Sequence, residues 1–381
     1  MIKFSGFLRF LKKIITGYFI LAGVAGHIGL VLILLMYPNL VYQIENKATI
    51  FLDNNFSSQL NIEDEISSNF GIWKPLENTP IAPKKIQIGA KAYSDMQAAA
   101  DELKPGETLE LGPGVYTNAL IIRQNNVAVV GRGHVVFEGG VAEDKGAIVV
   151  KGNDVKLTNI ECRGITVSDE NGACVRLEGA KLTVNHVYFH NSQEGILTGE
   201  QADVVTVKDS RFELLGQSGR AHGIYANGGE LHIEDSLFIA AVDEGHEIKS
   251  RAKYTEIIRC VVASLGSQDS RLIDISNGGF VSIRDSTLEK GPRSSNADTI
   301  GYGLEGMKYD KNFLELKNNI IILERSGVNN LIHIENKQVI PVVSTNLIIS
   351  NNETAYTDAN IWYKNRKKAN LEKYPYIPNI K

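Results

Sequence analysis

LTVNHVYF (182–189), VTVKDSRF (205–212), LHIEDSLF (231–238), TEIIRCVV (255–262), VSIRDSTL (281–288) and LELKNNII (314–321) repeat one pattern: a short apolar strand closed by a small polar residue. Anchoring each copy on its central aliphatic residue, and extending outward in both directions, gives the column Val129, Leu157, Val184, Val207, Ile233, Ile257, Ile283, Leu316 and Val343. The steps are 28, 27, 23, 26, 24, 26, 33 and 27 residues, a period that fits one turn of a parallel β-solenoid. Alternating strands have one face to bury, and a helix-crossover sheet would need amphipathic helices between them, which the chain lacks after Lys104. Coiling the chain stacks identical faces instead.

A second column has the same register. In GACVRL, EGILTG, HGIYAN, HEIKSR, RLIDIS and YGLEGM the central aliphatics are Val175, Ile196, Ile224, Ile248, Ile273 and Leu304, so two strands per coil are legible. Asn159, Asn185, Asn319 and Asn346 close strands and suit either stacked side-chain hydrogen bonds at the corners or ordinary turns.

At 381 residues and 43 % hydrophobic content the chain supports one long solenoid, placed at 89–351, with accessory segments. A net charge of −4 argues against nucleic acid as a partner. Ahead of the solenoid, the apolar run 14–36 is long enough to span a bilayer, which takes roughly 20 residues. Lys3, Arg9, Lys12 and Lys13 in the basic segment 1–13 put the N-terminus in the cytoplasm. The reading is a retained signal anchor in the inner membrane of a bacterium, with the C-terminal domain periplasmic or extracellular. A cleaved signal peptide is the rival, but the apolar core is long and no small-x-small cleavage site is evident. Residues 37–88 read as a polar connector with a helix near Leu40 to Leu52, and 352–381 as a basic tail that lays aromatic residues over the last coil. Cys162, Cys174 and Cys260 are too few for a disulfide framework; buried small hydrophobes are the default, with a Cys162–Cys174 bond compatible with an oxidising compartment.

SDMQAAADELKPG (94–106) is a compact helix, with Ser94 and Gln97 as a capping box, able to cover the open end of a solenoid. Continued to Gly133, SDMQAAADELKPGETLELGPGVYTNALIIRQNNVAVVGRG resembles the N-terminal cap and first coils of the pectate-lyase-like superfamily. The resemblance covers about residues 85–350. It implies an all-β, right-handed parallel β-helix acting on polysaccharide. Within it DEGHEIKSRA (243–252) resembles the E-x-x-x-x-K-S element of calcium-dependent lyases of the chondroitinase B and alginate lyase type. That likeness implies calcium at Glu244, with Glu247 beside it, Lys249 as the base, and an arginine one coil later, Arg271 or its near neighbour Arg251, assisting the leaving oxygen.

Outward positions on successive coils lie about 4.8 Å apart, so one column makes a groove floor. Tyr225, Lys249, Asp274 and Glu305 follow the second-column aliphatics, Asn227 and Arg251 lie two residues further, and His222, His246, Arg271 and Tyr302 sit around the corner. Asn277 opens the turn after Ser276. Removing the C5 proton of a uronate takes a base of lowered pKa, which Lys249 crowded by Arg251 and Arg271 would be, and an acid such as Tyr225 or His246 for the glycosidic oxygen. Cleavage gives a lyase; return of the proton from the other face gives an epimerase. A hydrolase, which would need neighbouring carboxylates, and a non-catalytic glycan-binding or exopolysaccharide-assembly protein remain alternatives. The long coil Gly291 to Asp310 is placed to wall the groove.

Overall fold

A computed structural model describes residues 61–77, 79–352 and 355–378 of the chain. The apolar run 14–36 and the helix expected near Leu40 to Leu52 lie outside the described residues. No helix among the described residues is long and apolar enough to cross a membrane.

The periodic strands stack as a parallel β-solenoid with three strands per coil, one more than the sequence pattern resolves. In one coil these are Glu230–Glu234, Leu237–Ile239 and Ile248–Ser250. The first two belong to a continuous 21-stranded sheet and the third to a nine-stranded sheet. The first column is the pairing register itself: Val184 lies opposite Leu157 and Val207, Ile257 opposite Ile233 and Ile283, and Leu316 opposite Val343. These side chains point inward and are buried, with Phe212 and Phe238 stacked beside them and Phe189 edge-on to Phe212. The second column holds from Val175 to Ile273, but Ile300, not Leu304, continues it.

The bend between first and second strands is made by a single residue in left-handed backbone. Asn159, His186, Asp209, Asp235, Arg259, Asp285, Asn318 and Thr345 occupy it with φ between 44 and 58°. Five of the eight are Asn or Asp, the non-glycine residues that tolerate this region best. The next residue points inward and is small and polar in most coils. Its oxygen accepts the backbone N–H of the preceding coil: Val187 donates to Ser210, Ser210 to Ser236, Ser286 to Asn319, Asn319 to Asn346 and Asn346 to Asn360, at 2.8–3.2 Å. Asn319 and Asn346 thus join a stack. Asn159 serves a neighbouring corner through Gly131 and Gly133, and Asn185 lies outside the stack, paired with Thr158 and Lys208.

Both ends are closed. Helix α1 spans Ile62–Phe70 and helix α2 spans Met96–Glu102. Helix α2 buries Met96, Ala99 and Ala100, and its cap is Asp95, whose carboxylate accepts from Ala98 N at 2.7 Å, not Ser94. Gln97 instead uses its amide to bond both backbone groups of Ile121, so it ties helix to coil rather than completing a capping box. At the far end Ile361–Tyr363 adds one more strand to Leu347–Ser350, bringing Trp362 against the core.

The described part of the connector packs against the solenoid. Helix α1 places Ile62, Ile66 and Phe70 one turn apart, on one face, against Ile239, Val261, Ala263 and Leu265 and against Ile377 of the tail. Those positions, on second strands or, for Leu265, just past one, face outward and are apolar, so they require a cover. Residues 71–77 continue along the same side, with Trp73 stacked at 5.6 Å on Tyr188 and Leu76 N bonded to Asn159. Cys162 and Cys174 form a disulfide, and Cys260 is buried and free.

Candidate functional site

The nine-stranded sheet carries its outward polar side chains in two rows. One runs Glu194, His222, His246, Arg271, Asp298 and Asn330; the other runs Tyr225, Lys249, Asp274 and, past Gly301, His333. Register alone therefore brings together residues spread over 140 positions of sequence.

Asp274 is the hub. Its carboxylate lies 3.4 Å from Lys249 Nζ, 3.5 Å from Arg271 and 4.0 Å from His246 Nε2, and accepts Ser276 Oγ at 2.7 Å. The side chain is almost fully buried, and this ring of cations and donors is what makes a buried carboxylate tolerable. Arg271 reaches on to Asp298 at 3.4 Å. Burial raises the Asp298 pKa, but bonds from Asn330 at 2.9 Å and His333 at 2.7 Å outweigh that and hold it below the usual range. Lys249 also pairs with Glu305 at 2.9 Å, and the same carboxylate pairs with Arg251. Both cations lie over the Tyr225 ring, at 5.5 and 5.2 Å from its centre. Burial pushes the Tyr225 phenol up to about 12, so it is protonated at neutral pH.

The two histidines are fixed in a stacked pair, ring centres 4.8 Å apart. His222 Nδ1 accepts the backbone N–H of His246, and His246 Nδ1 accepts that of Arg271, both at 3.1 Å. Each ring then carries its proton on Nε2. Burial, reinforced by the charges of neighbouring groups, lowers both pKa values well below that of a free imidazole. They are neutral donors, not bases. Next along the row, burial pushes the Glu194 carboxyl well above its ordinary range, partly offset by Arg176. It is a neutral acid wholly enclosed by protein.

The structure thus assembles Lys249, Arg251, Arg271, Tyr225, His222, His246, Asn227, Asp274 and Glu305 on one face, with Asn227 3.3 Å from Arg251. Asn277 bonds Gly306 of the adjoining loop. Tyr302 belongs elsewhere: its ring is buried inside the coil and its hydroxyl donates to Gly279 O. The calcium donors also part company. Glu244 is an exposed turn residue with φ 63°, whereas Glu247 turns inward, where burial and the neighbouring Asp269 keep it neutral. Among the described residues no group of three or more His, Cys, Asp or Glu could hold a metal ion. These residues do not fit the calcium site that the resemblance implies.

Asp298, Asn330 and His333 escaped the sequence reading. The signal existed: Ile300 of DTIGY (298–302) lies 27 residues after Ile273, in line with the earlier coils, whereas YGLEGM breaks the period.

No protein-family model matches the chain, and no curated protein matches it. The structure is similar to the crystal structure of pectate lyase Pel9A, at 13% sequence identity and a TM-score of 0.41, over 75% of this chain and 78% of that one.

Proposed function

We propose that this face binds a uronate-bearing polysaccharide and acts on it by β-elimination or C5 epimerisation. The observation that carries the reading is the trio of Lys249, Arg251 and Arg271 on one face, held in place before any ligand arrives and underlain by Tyr225. Preorganised cations of this kind neutralise a uronate carboxylate and the enolate that follows loss of the C5 proton. In the elimination, Lys249 releases its ammonium proton to solvent while Arg251 and Arg271 keep hold of the uronate carboxylate, and as the amine it takes the C5 proton; the C4–O bond breaks, and the Tyr225 hydroxyl returns a proton to the departing oxygen. The product is a sugar with a C4–C5 double bond. In epimerisation the C4–O bond stays intact and a proton re-enters at C5 from the other face. The Cys162–Cys174 disulfide supports placement outside the cytoplasm, with 14–36 as the anchor in a bacterial inner membrane.

One observation favours a second reading, hydrolysis. Asp274 and Asp298 come from successive coils and share Arg271, a carboxylate pair that the sequence does not display. Hydrolysis also needs an accessible acid of raised pKa. Asp298 is held low, and Glu194, which is raised, is enclosed, so this reading ranks below elimination. The test is to incubate the full-length protein with a panel of uronic-acid polysaccharides, with and without calcium, beside Lys249→Ala. Ultraviolet absorbance that grows with the wild type and not with the variant supports elimination. New reducing ends without absorbance would move the assignment to hydrolysis, and a changed uronate ratio by NMR without cleavage to epimerisation.

A further inference from the structure

Glu305 lies further from a strand than Lys249, Arg251, Arg271 or Asp274. It lies just past the strand Asp298–Tyr302, between Gly303 and Gly306, in a segment whose backbone is fixed: Glu305 N donates to Ser276 O and Lys308 N to Asn277 O, both at 3.0 Å. Only its side chain crosses to the cations. Its side chain is 42% exposed, against 12% for Lys249 and 29% for Arg251. It is the most exposed of the three.

The cations do not depend on it. Lys249 keeps Asp274 at 3.4 Å, Arg251 keeps Asn227 at 3.3 Å, and both keep the Tyr225 ring. Rotation of the Glu305 side chain alone, with the backbone unmoved, leaves a formed two-cation seat over an aromatic ring, shaped to the width of one carboxylate. Gly306 adds room, since nothing lies within 4 Å of where its side chain would project.

We propose that Glu305 is a built-in competitor: its carboxylate fills, in the free protein, the seat that a ligand carboxylate takes on Lys249 and Arg251. The proposal rests on the acidic-polysaccharide reading for its ligand class and deepens it, because it assigns the carboxylate contact to these two residues. Binding then consists of exchanging one carboxylate for another, which lowers net affinity while rejecting neutral sugars, for which the exchange leaves Arg251 without a carboxylate and Lys249 with Asp274 alone.

Calorimetric titration of full-length wild type, Glu305→Gln, Glu305→Ala and Lys249→Ala/Glu305→Gln tests this. The probes are sodium glucuronate, an oligogalacturonate and a neutral glucose oligomer of equal length. The expected result is glucuronate and oligogalacturonate binding tightened about three- to tenfold in both single variants, the scale of one partly exposed ion pair. The gain should be abolished in the double variant, with no change for the neutral oligomer. Glucuronate binding that is absent, unchanged or weakened in both single variants, with melting temperatures like the wild type, overturns the proposal. If oligogalacturonate binds every single variant as it binds wild type, the competitor idea fails and the polysaccharide reading stands. If glucuronate tightens and the oligomer does not bind, the seat stands and the polysaccharide reading fails.

Discussion

Single residues here are expensive because the coil buries polar atoms in matched sets. Asn319 is fully buried, accepts from Ser286 N at 3.0 Å and donates to Ile283 O at 2.9 Å. Asn319→Ala leaves both backbone groups without a partner and should cost about 1–3 kcal/mol in urea unfolding, with Asn319→Ser recovering part of it. Glu194 gives the opposite case. Its folded pKa is raised by burial, so the folded protein keeps a proton that the unfolded chain gives up in the ordinary carboxylate range. The associated stability is complete below that range and is lost as pH rises towards the folded value. Glu194→Gln removes this loss, so its melting temperature relative to wild type should climb between about pH 5 and pH 8. A constant difference across that range would mean that the carboxyl is ionised in the fold. The histidines have the reverse sign. Their lowered values make stability complete above about pH 6.5, the free imidazole value, and eroded below it.

Elements add what the repeat cannot supply. Helix α1 and the tail close over a patch of outward aliphatic residues, and Ile66, 4% exposed, is the helix's main contribution to that contact. Ile66→Ala should cost about 2–4 kcal/mol if the strap unfolds with the solenoid. If it opens by itself, hydrogen exchange will quicken in 62–70 and 366–377 while the strands stay protected. This strap also marks the limit of what the sequence discloses. Alternation set the first column residue by residue, from Val129 to Val343, since burial of one strand face leaves no freedom of register. The second strand of each coil, such as Leu237–Ile239, went unseen because its three residues are too short to show alternation. Without those outward aliphatics in view, Ile62, Ile66 and Phe70 had nothing to pack against and read as linker. The site divides the same way. Residues on strands, from Tyr225 to Asp274, follow from register, and Glu305 reached Lys249 although its column position was wrong, because a loop carried it back. Tyr302 was misplaced by the same shift of register, which turned its ring inward.

At the scale of the whole molecule the coil is held by neighbours only, so its weak points are its covalent clip and its ends. The Cys162–Cys174 disulfide closes a short loop between consecutive strands of the two sheets, and Cys162→Ser/Cys174→Ser should lower stability by about 2–3 kcal/mol, read by denaturant midpoint. A chain ending at Asn352 loses the strand Ile361–Tyr363 and bares the edge of Leu347–Ser350. Light scattering should then show concentration-dependent oligomers, as unpaired edges recruit one another. The two lines of side-chain acceptors run along the solenoid with opposite polarity. At the corner each amide looks one coil ahead, as Asn319 does to Asn346; beneath the candidate site each looks one coil behind, as His246 does to His222. An injury to one seam is therefore felt upstream and to the other downstream, so a lesion at Asn346 loosens the coil before it while a lesion at His222 loosens the coil after, towards Lys249.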